Sequence, residues 1–245
     1  MAGKLHAIAR RLVKGKRPAA ALDVERAEQT FYIEYLRDGM VVFDVGANVG
    51  ELTLLFSRFA GRNGVVHAFE ASSRVFERLS RICELAGCTR AVLNHCAVAD
   101  TVGTLKLHVY SDEFSGWNTL ADRPLANYNI SAAPVAIEDV PSTTVDAYCA
   151  GHGIERIDLL KIDVEGAEYQ VLLGARRMLT ERRIACCVFE FGQTTFDMGN
   201  RPSEIRRYLE ECGYAIRNIV KGDPAFPGGD NVDDARFSLH VAVPR

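Results

Sequence analysis

The sequence predicts an α/β fold in which helices cover both faces of a mostly parallel sheet. Short apolar runs of strand length alternate along the chain with longer segments whose apolar residues recur at helical spacing. Such alternation is typical of strands joined by crossover helices. The chain has 245 residues, of which 48% are hydrophobic and 25% charged, so it is long enough for one domain with a substantial core.

The apolar runs and the amphipathic segments define the predicted elements. The strands are residues 41–44, 65–70, 91–96, 104–110, 159–162, 185–191, 214–220 and 237–243. The helices are residues 24–36, 52–59, 74–86, 165–179 and 202–212. The polar and aromatic segment 111–137 interrupts the alternation, and loops of this length in compact domains are usually functional. We predict a lid with Trp117 and Asn118 as substrate-binding residues, and the alternative is a passive surface insertion.

Positive charge is concentrated at the N-terminus. The first 17 residues contain six basic side chains and no acidic one, whereas the whole chain has a net charge of −3. We predict a basic tail or helix over residues 1–22, followed by a single domain over residues 23–245. The tail suits either an anionic partner or a solvated, frayed helix. The rest of the chain lacks the basic, aromatic-rich surface of a nucleic-acid binder.

The cysteines and the hydropathy pattern bear on cellular location. Seven cysteines form no C-x-x-C pair and lie mostly in apolar runs, which is typical of reduced, buried thiols. No apolar run reaches 18 residues, and the basic N-terminus lacks the apolar core of a secretory signal. We therefore expect a cytoplasmic protein without a transmembrane segment.

Residues 41–50 have the sequence Val-Val-Phe-Asp-Val-Gly-Ala-Asn-Val-Gly, an apolar strand followed by a glycine loop. A helical segment follows Gly50, an arrangement in which the backbone can approach a nucleotide-like ligand. The motif is D-x-G-x-N-x-G, and Asn48 stands where a pyrophosphate site needs a small residue. Asp44 suits a ligand that carries an amino group and no phosphate, and S-adenosylmethionine (SAM) is such a ligand.

Glu70 ends the second predicted strand, 20 residues after Gly50. An acidic residue at this point can accept hydrogen bonds from both hydroxyls of a ribose. Asp44 or Glu70 alone would equally suit a solvated charge at a strand end. Because the two bracket a glycine loop and a helix, we predict an adenosyl ligand.

Residues 157–168 form a second motif, Ile-Asp-Leu-Leu-Lys-Ile-Asp-Val-Glu-Gly-Ala-Glu. Its strand delivers Asp163 to the carboxyl edge of the sheet, where ligands bind in open α/β folds. Glu190 ends another predicted strand and should project from the same edge, whereas Glu168 suits a first helical turn. Our hypothesis is that Asp163 binds or deprotonates an acceptor hydroxyl, assisted by Glu190 or Glu165. No histidine accompanies these carboxylates, so a divalent metal is only the alternative.

The two motifs together resemble the FkbM-type methyltransferase family of class I SAM-dependent enzymes. The resemblance rests on residues 44–50, 69–70, 94–97 and 161–168, and it covers roughly residues 30–220. It implies a Rossmann-like fold with a seven-stranded sheet whose last strand is antiparallel. It also implies SAM as the cofactor and O-methylation of a hydroxyl on a sugar, polyketide or related natural product or glycan.

The resemblance assigns roles to individual positions as well. It implies that Asp163 faces the reaction centre and that Glu70 holds the ribose hydroxyls. It also places Gly46, Asn48, Gly50, Cys96 and Ala97 against SAM. We add the neighbouring Asp44, Val49 and Ala71 to the predicted SAM-binding residues, although relatives commonly have proline at the position of Ala71. Three alternatives stay open: transfer to nitrogen or a carboxylate, a non-catalytic SAM-binding domain, and an NAD-dependent oxidoreductase.

Overall fold

The computed structural model describes residues 19–121, 123 and 133–245. The strands of this part of the chain are β1 (Val41–Val45), β2 (Val65–Glu70), β3 (Ala91–His95), β4 (Ala97–Val98), β5 (Gly103–Val109), β6 (Ala136–Thr143), β7 (Leu159–Ile162), β8 (Cys187–Phe191), β9 (Tyr214–Asn218) and β10 (Ser238–Pro244). Its α-helices are α1 (Ala19–Tyr35), α2 (Glu51–Ala60), α3 (Ser73–Leu85), α4 (Val145–His152), α5 (Glu168–Leu173), α6 (Arg176–Thr180), α7 (Gln193–Asp197) and α8 (Pro202–Glu211).

Seven strands form the main sheet in the order β3-β2-β1-β7-β8-β10-β9. Strand β10 runs antiparallel to both of its neighbours, and the remaining strand pairs are parallel. The predicted seven-stranded, mostly parallel sheet with an antiparallel last strand is therefore confirmed. A smaller sheet, β4-β6-β5, extends from the region after β3.

Apolar side chains from alternate positions of the strands cover both faces of the sheet. On one face Val42 packs with Tyr32 of α1 and Phe56 of α2. On the other face Phe43 packs with residues of α4, α5 and α8. Burial on both sides is what a parallel sheet requires, and it confirms the prediction of helices on both faces. None of the described helices is long and apolar enough to cross a lipid bilayer.

The prediction of one helix over residues 165–179 is wrong. The chain forms an irregular turn after β7 and then two short helices, α5 and α6. Glu165 and Gly166 have left-handed backbone angles, with φ of 54° and 111°. Gly174 separates the two helices, and a Cβ there would lie 2.0 Å from the carbonyl oxygen of Ala99. Tertiary contacts at both glycines therefore override the helical spacing of the apolar residues.

Further differences concern segments outside the main sheet. Helices α4 and α7 and strands β4 and β6 were not predicted, and the first residues of β6 fall within the predicted loop 111–137. The first part of that loop is a 3-10 helix, Asp112–Trp117. Residues 122 and 124–132 of the predicted lid, and residues 1–18 of the predicted basic tail, lie outside the described residues.

Candidate active site

A cleft lies at the carboxyl ends of β1, β2 and β7. Nine of the predicted site residues line it, namely Gly46, Asn48, Glu70, Ala71, Cys96, Ala97, Asn118, Asp163 and Glu165. Five others do not lie on its wall, namely Asp44, Val49, Gly50, Trp117 and Glu190. The two sequence motifs, far apart in the chain, therefore meet at one edge of the sheet.

The glycine loop after β1 contains three residues in the left-handed region. Gly46, Asn48 and Gly50 have φ of 77°, 49° and 90°, and asparagine is one of the few non-glycine residues that adopt this conformation readily. A Cβ on Gly46 would lie 1.8 Å from the carbonyl oxygen of Asp163, and one on Gly50 would lie 2.6 Å from Leu79. These glycines therefore make room for the protein itself, a constraint that the sequence analysis attributed to a ligand.

Glu70 is buried at the end of β2 and reaches back to the glycine loop. Its Oε2 accepts a hydrogen bond from the backbone N–H of Asn48 at 3.0 Å, and its Oε1 accepts one from Ser72 at 2.9 Å. A carboxylate oxygen has two lone pairs, so each oxygen can still accept a hydrogen bond from a hydroxyl group. Paired acceptors of this kind fit the two neighbouring hydroxyls of the SAM ribose.

We expect the affinity for S-adenosylhomocysteine (SAH) to depend on pH through Glu70. Burial raises the pKa of this carboxyl to about 7, although the N–H groups of Ser72 and Asn48 oppose the shift. The ribose hydroxyls need the ionised form, so the dissociation constant should be constant above the pKa and rise about tenfold per unit below it. Calorimetric titration from pH 5.5 to 7.5 tests this expectation.

Glu70→Gln is the matched control for this titration. Glutamine keeps the shape of the side chain but does not titrate, so its weaker SAH binding should vary little over the same pH range. A wild-type affinity that is equally flat would contradict the assignment of Glu70 to the ribose.

Asp44 lies behind the glycine loop and is fully buried. Its Oδ2 accepts a hydrogen bond of 2.6 Å from Thr53, and its Oδ1 lies 3.3 Å from Nζ of Lys161. Sequence reasoning missed Lys161 as a site residue. The indication was a single lysine within an otherwise apolar strand, because a buried parallel strand normally carries only apolar residues.

The turn after β7 places Asp163 and Glu165 on the cleft wall. The backbone N–H of Asp163 donates to the carbonyl of Val45 at 3.0 Å, which joins this turn to the end of β1. Oε1 of Glu168 accepts from the N–H groups of Val164 and Gly166 at 3.0 and 3.2 Å. Burial raises the pKa of Glu168 to about 7. Glu168 therefore fixes the shape of the turn that carries the two cleft carboxylates.

The 3-10 helix and the residues after it cover the cleft from the other side. Trp117 is the last residue of this 3-10 helix, and its side chain is buried. Its ring centre lies 4.8 Å from that of Phe114 and 5.7 Å from the guanidinium of Arg123. Arg123 lies 3.7 Å from Glu165 and 3.6 Å from Asp197, so it joins the cover to the turn after β7. The residues of the cover that line the cleft are Ser115, Gly116, Asn118, Thr119 and Leu120.

The sheet topology, the glycine loop and the buried acid at the end of β2 define a class I SAM-dependent methyltransferase. A comparison with protein families narrows this class. The sequence model of the family described as "Methyltransferase FkbM domain" matches residues 44–216, which is most of the chain. The chain belongs to the FkbM methyltransferase family, as its motifs predicted, and its cofactor is SAM.

Several characterised proteins are similar in sequence. The chain is 30% identical to "31-O-demethyl-FK506 methyltransferase FkbM" of Streptomyces tacrolimicus, over 79% of this chain and 78% of that protein. It is 28% identical to "Methyltransferase 1" of Beauveria bassiana, over 64% and 69% of the two chains. It is 26% identical to "2-O-methyltransferase NoeI" of Sinorhizobium fredii, over 58% and 60% of the two chains.

Proposed function

We propose that this enzyme transfers a methyl group from SAM to a hydroxyl of a sugar, polyketide or related natural product or glycan. The observation that carries the proposal is the Asp163 carboxylate on the wall of the cofactor cleft, with Glu165 on the same wall. An aliphatic hydroxyl must lose its proton as its oxygen forms the new bond, so its methylation gains from a carboxylate base. The names of two relatives, which specify methylation of oxygen, support the same class of acceptor.

In this proposal the cofactor residues hold SAM along the edge of the sheet. SAM supplies an electrophilic methyl group when it is bound. Glu70 would accept hydrogen bonds from the ribose hydroxyls, the loop from Gly46 to Asn48 would hold the methionine and ribose side, and Cys96 and Ala97 would hold the adenine side. Holding the donor in one orientation against the acceptor lowers the barrier by making the transfer effectively unimolecular.

The acceptor side of the cleft combines carboxylates with an amide donor. Asp163 accepts the proton of the hydroxyl that is methylated, and Glu165 binds a neighbouring hydroxyl. The side-chain Oδ1 of Asn118 accepts a hydrogen bond from the backbone N–H of Tyr110 at 2.9 Å, whereas its buried Nδ2 has no hydrogen-bond partner among the described residues. The Nδ2 group of Asn118 can therefore donate a hydrogen bond to an oxygen of the methyl acceptor.

Two predicted residues take other places in this proposal. Glu190 is buried at the end of β8 and away from the cleft wall, so we assign the assisting role to Glu165. Trp117 supports the cover from beneath, and Asn118 rather than Trp117 faces the acceptor. The cover excludes water from the reacting groups.

The test is transfer of a labelled methyl group from SAM to a panel of acceptors. The panel contains sugars, hydroxylated macrolides, amines and carboxylic acids, and the products are separated and treated with alkali. A methyl ether survives alkali, a methyl ester is hydrolysed, and a methylated amine stays basic. We expect alkali-stable, non-basic products. Ester or amine products alone would overturn the proposal, as would SAH binding without transfer to any acceptor of the panel.

A further inference from the structure

Lys161 is a buried cation at the point where the two motifs of the active site meet. It lies on β7 directly opposite Asp44 of β1 in the parallel register. Its Nζ donates to the carbonyl of Gly46 at 3.1 Å and lies 3.3 Å from Asp44 and 3.7 Å from Asp163. One ammonium group therefore contacts the glycine loop, the strand before it and the carboxylate on the cleft wall.

The charge of Lys161 is maintained by its neighbours. Burial by itself lowers the pKa of a lysine, but the carboxylates of Asp44 and Asp163 outweigh burial and raise the pKa of Lys161 above its ordinary value. The group is therefore an ammonium at any pH at which the enzyme works. A buried cation with these partners is able both to orient dipoles and to favour ionised carboxylates.

A purely structural role for Lys161 would require fewer contacts than this side chain makes. A buried ion pair between Lys161 and Asp44 alone would serve to join β7 to β1, and such pairs often add little stability. Lys161 also binds the Gly46 carbonyl, which belongs to the cofactor loop, and it approaches Asp163, whose side chain is 27% exposed. The two additional contacts both lie on the cleft side.

We propose that Lys161 is a positioning residue for methyl transfer, holding the glycine loop in place for SAM and keeping the Asp163 carboxylate ionised and oriented toward the acceptor. The Asp163 part of this inference rests on the proposed function. The part that concerns Gly46 requires only the SAM-dependent methyltransferase activity of the family.

Tyr32 on α1 and Glu168 on α5 interact electrostatically with Asp163. Asp44 on β1 shares the Lys161 ammonium with it. Glu28 on α1 interacts with Lys161 and accepts a hydrogen bond from Tyr32 at 3.1 Å. The Lys161 ammonium therefore offsets the negative charge of both Asp44 and Asp163. Removal of that ammonium should favour the protonated form of Asp163.

The test compares Asp44→Asn with Asp44→Asn/Lys161→Met. Lys161→Met alone would leave the buried Asp44 as an uncompensated charge and is expected to be strongly destabilising, whereas the double variant is neutral at this pair. In Asp44→Asn the Lys161 ammonium keeps Asp163 and the Gly46 carbonyl as partners. The two variants differ only in the lysine, and thermal unfolding checks that both are folded. The first readout is the pH dependence of kcat/KM for the best acceptor of the panel from pH 5.5 to 9, with SAM saturating at every pH so that the titration of Glu70 does not set the acid limb. The second readout is the affinity for SAH.

We expect the acid limb of the profile to lie about 1 to 3 pH units higher in the double variant, with SAH bound several-fold more weakly. Superimposed profiles and equal SAH affinities would overturn the inference and leave Lys161 a structural residue. Asp163→Asn, measured in parallel, separates the two proposals. If it abolishes turnover while the profiles superimpose, only the inference fails. If it retains turnover, the proposed function fails, together with the Asp163 part of the inference.

Discussion

Asp163→Asn is expected to lower kcat by about 10² to 10⁴-fold, the usual contribution of a general base. Asparagine keeps the size of the side chain and its hydrogen-bonding oxygen, but it cannot take the proton of the acceptor hydroxyl. The dissociation constant for SAH should change by only a few-fold, because Glu70 and the glycine loop are untouched. Single-turnover kinetics with saturating SAM measures the chemical step, and calorimetry measures the SAH affinity.

Asp139→Asn is the matched control for that variant. Asp139 pairs with Lys106 at 3.0 Å on the surface, and both side chains are more than half exposed. Surface pairs of this kind contribute little, so turnover should stay at the wild-type value. Wild-type turnover in Asp163→Asn would remove Asp163 from the mechanism and would favour a nitrogen or carboxylate acceptor, which needs less help from a base.

The main sheet was predictable because its central strands, β1, β2, β7 and β8, are buried on both faces. Such strands are nearly continuous apolar runs, and acidic residues stand at their carboxyl ends, such as Glu70 and Asp163. The observed β1, β2 and β7 differ from the predicted strands by at most one residue. The positions of Glu70 and Asp163 then follow, because the carboxyl ends of parallel strands lie at one edge of the sheet.

The segments around the smaller sheet were less predictable. Helix α4 has ordinary local markers, since Thr144 caps its N-terminus by accepting from Ala147 and Gly153 ends it with a φ of 65°. Its apolar residues, however, form no long repeat. The turn at Glu165 and Gly166 depends instead on contacts with distant residues, since a Cβ on Gly166 would lie 2.3 Å from the carbonyl oxygen of Thr194. No local pattern contains that information.

In the candidate site, too, residues that follow a strand were predictable, whereas residues placed by packing against distant segments were not. Glu70 follows a strand and was placed correctly on the cleft wall by its position in the sequence. Trp117 was predicted at the cleft because it lies in the long loop interpreted as a lid, yet it is buried, and Asn118, Thr119 and Leu120 line the cleft instead. Its burial comes from packing with Phe114 and Arg123, which sequence spacing does not reveal. The direction of a side chain in an irregular segment depends on what the fold packs against it.

Gly46→Ala should damage both stability and cofactor binding. A Cβ at this position would lie 1.8 Å from the Asp163 carbonyl oxygen and 3.3 Å from Val164, in a backbone with φ of +77°. The left-handed conformation and the overlap together should lower the free energy of unfolding by roughly 2 to 5 kcal/mol. Urea unfolding measures this loss. Because the turn that carries Asp163 must move, SAH affinity should also fall at least tenfold, measured by calorimetry on the folded fraction.

Gly87→Ala separates backbone strain from the contact between the two motifs. Gly87 has a similar φ of +63°, but a Cβ there would meet nothing within 4 Å. This variant should lose only about 1 to 2 kcal/mol and bind SAH as the wild type does. If the two variants lose the same stability and both keep their SAH affinity, the close approach of Gly46 to Asp163 has no energetic importance. If Gly46→Ala alone loses SAH binding, the glycine of the first motif is required because it lets the second motif reach the cofactor cleft.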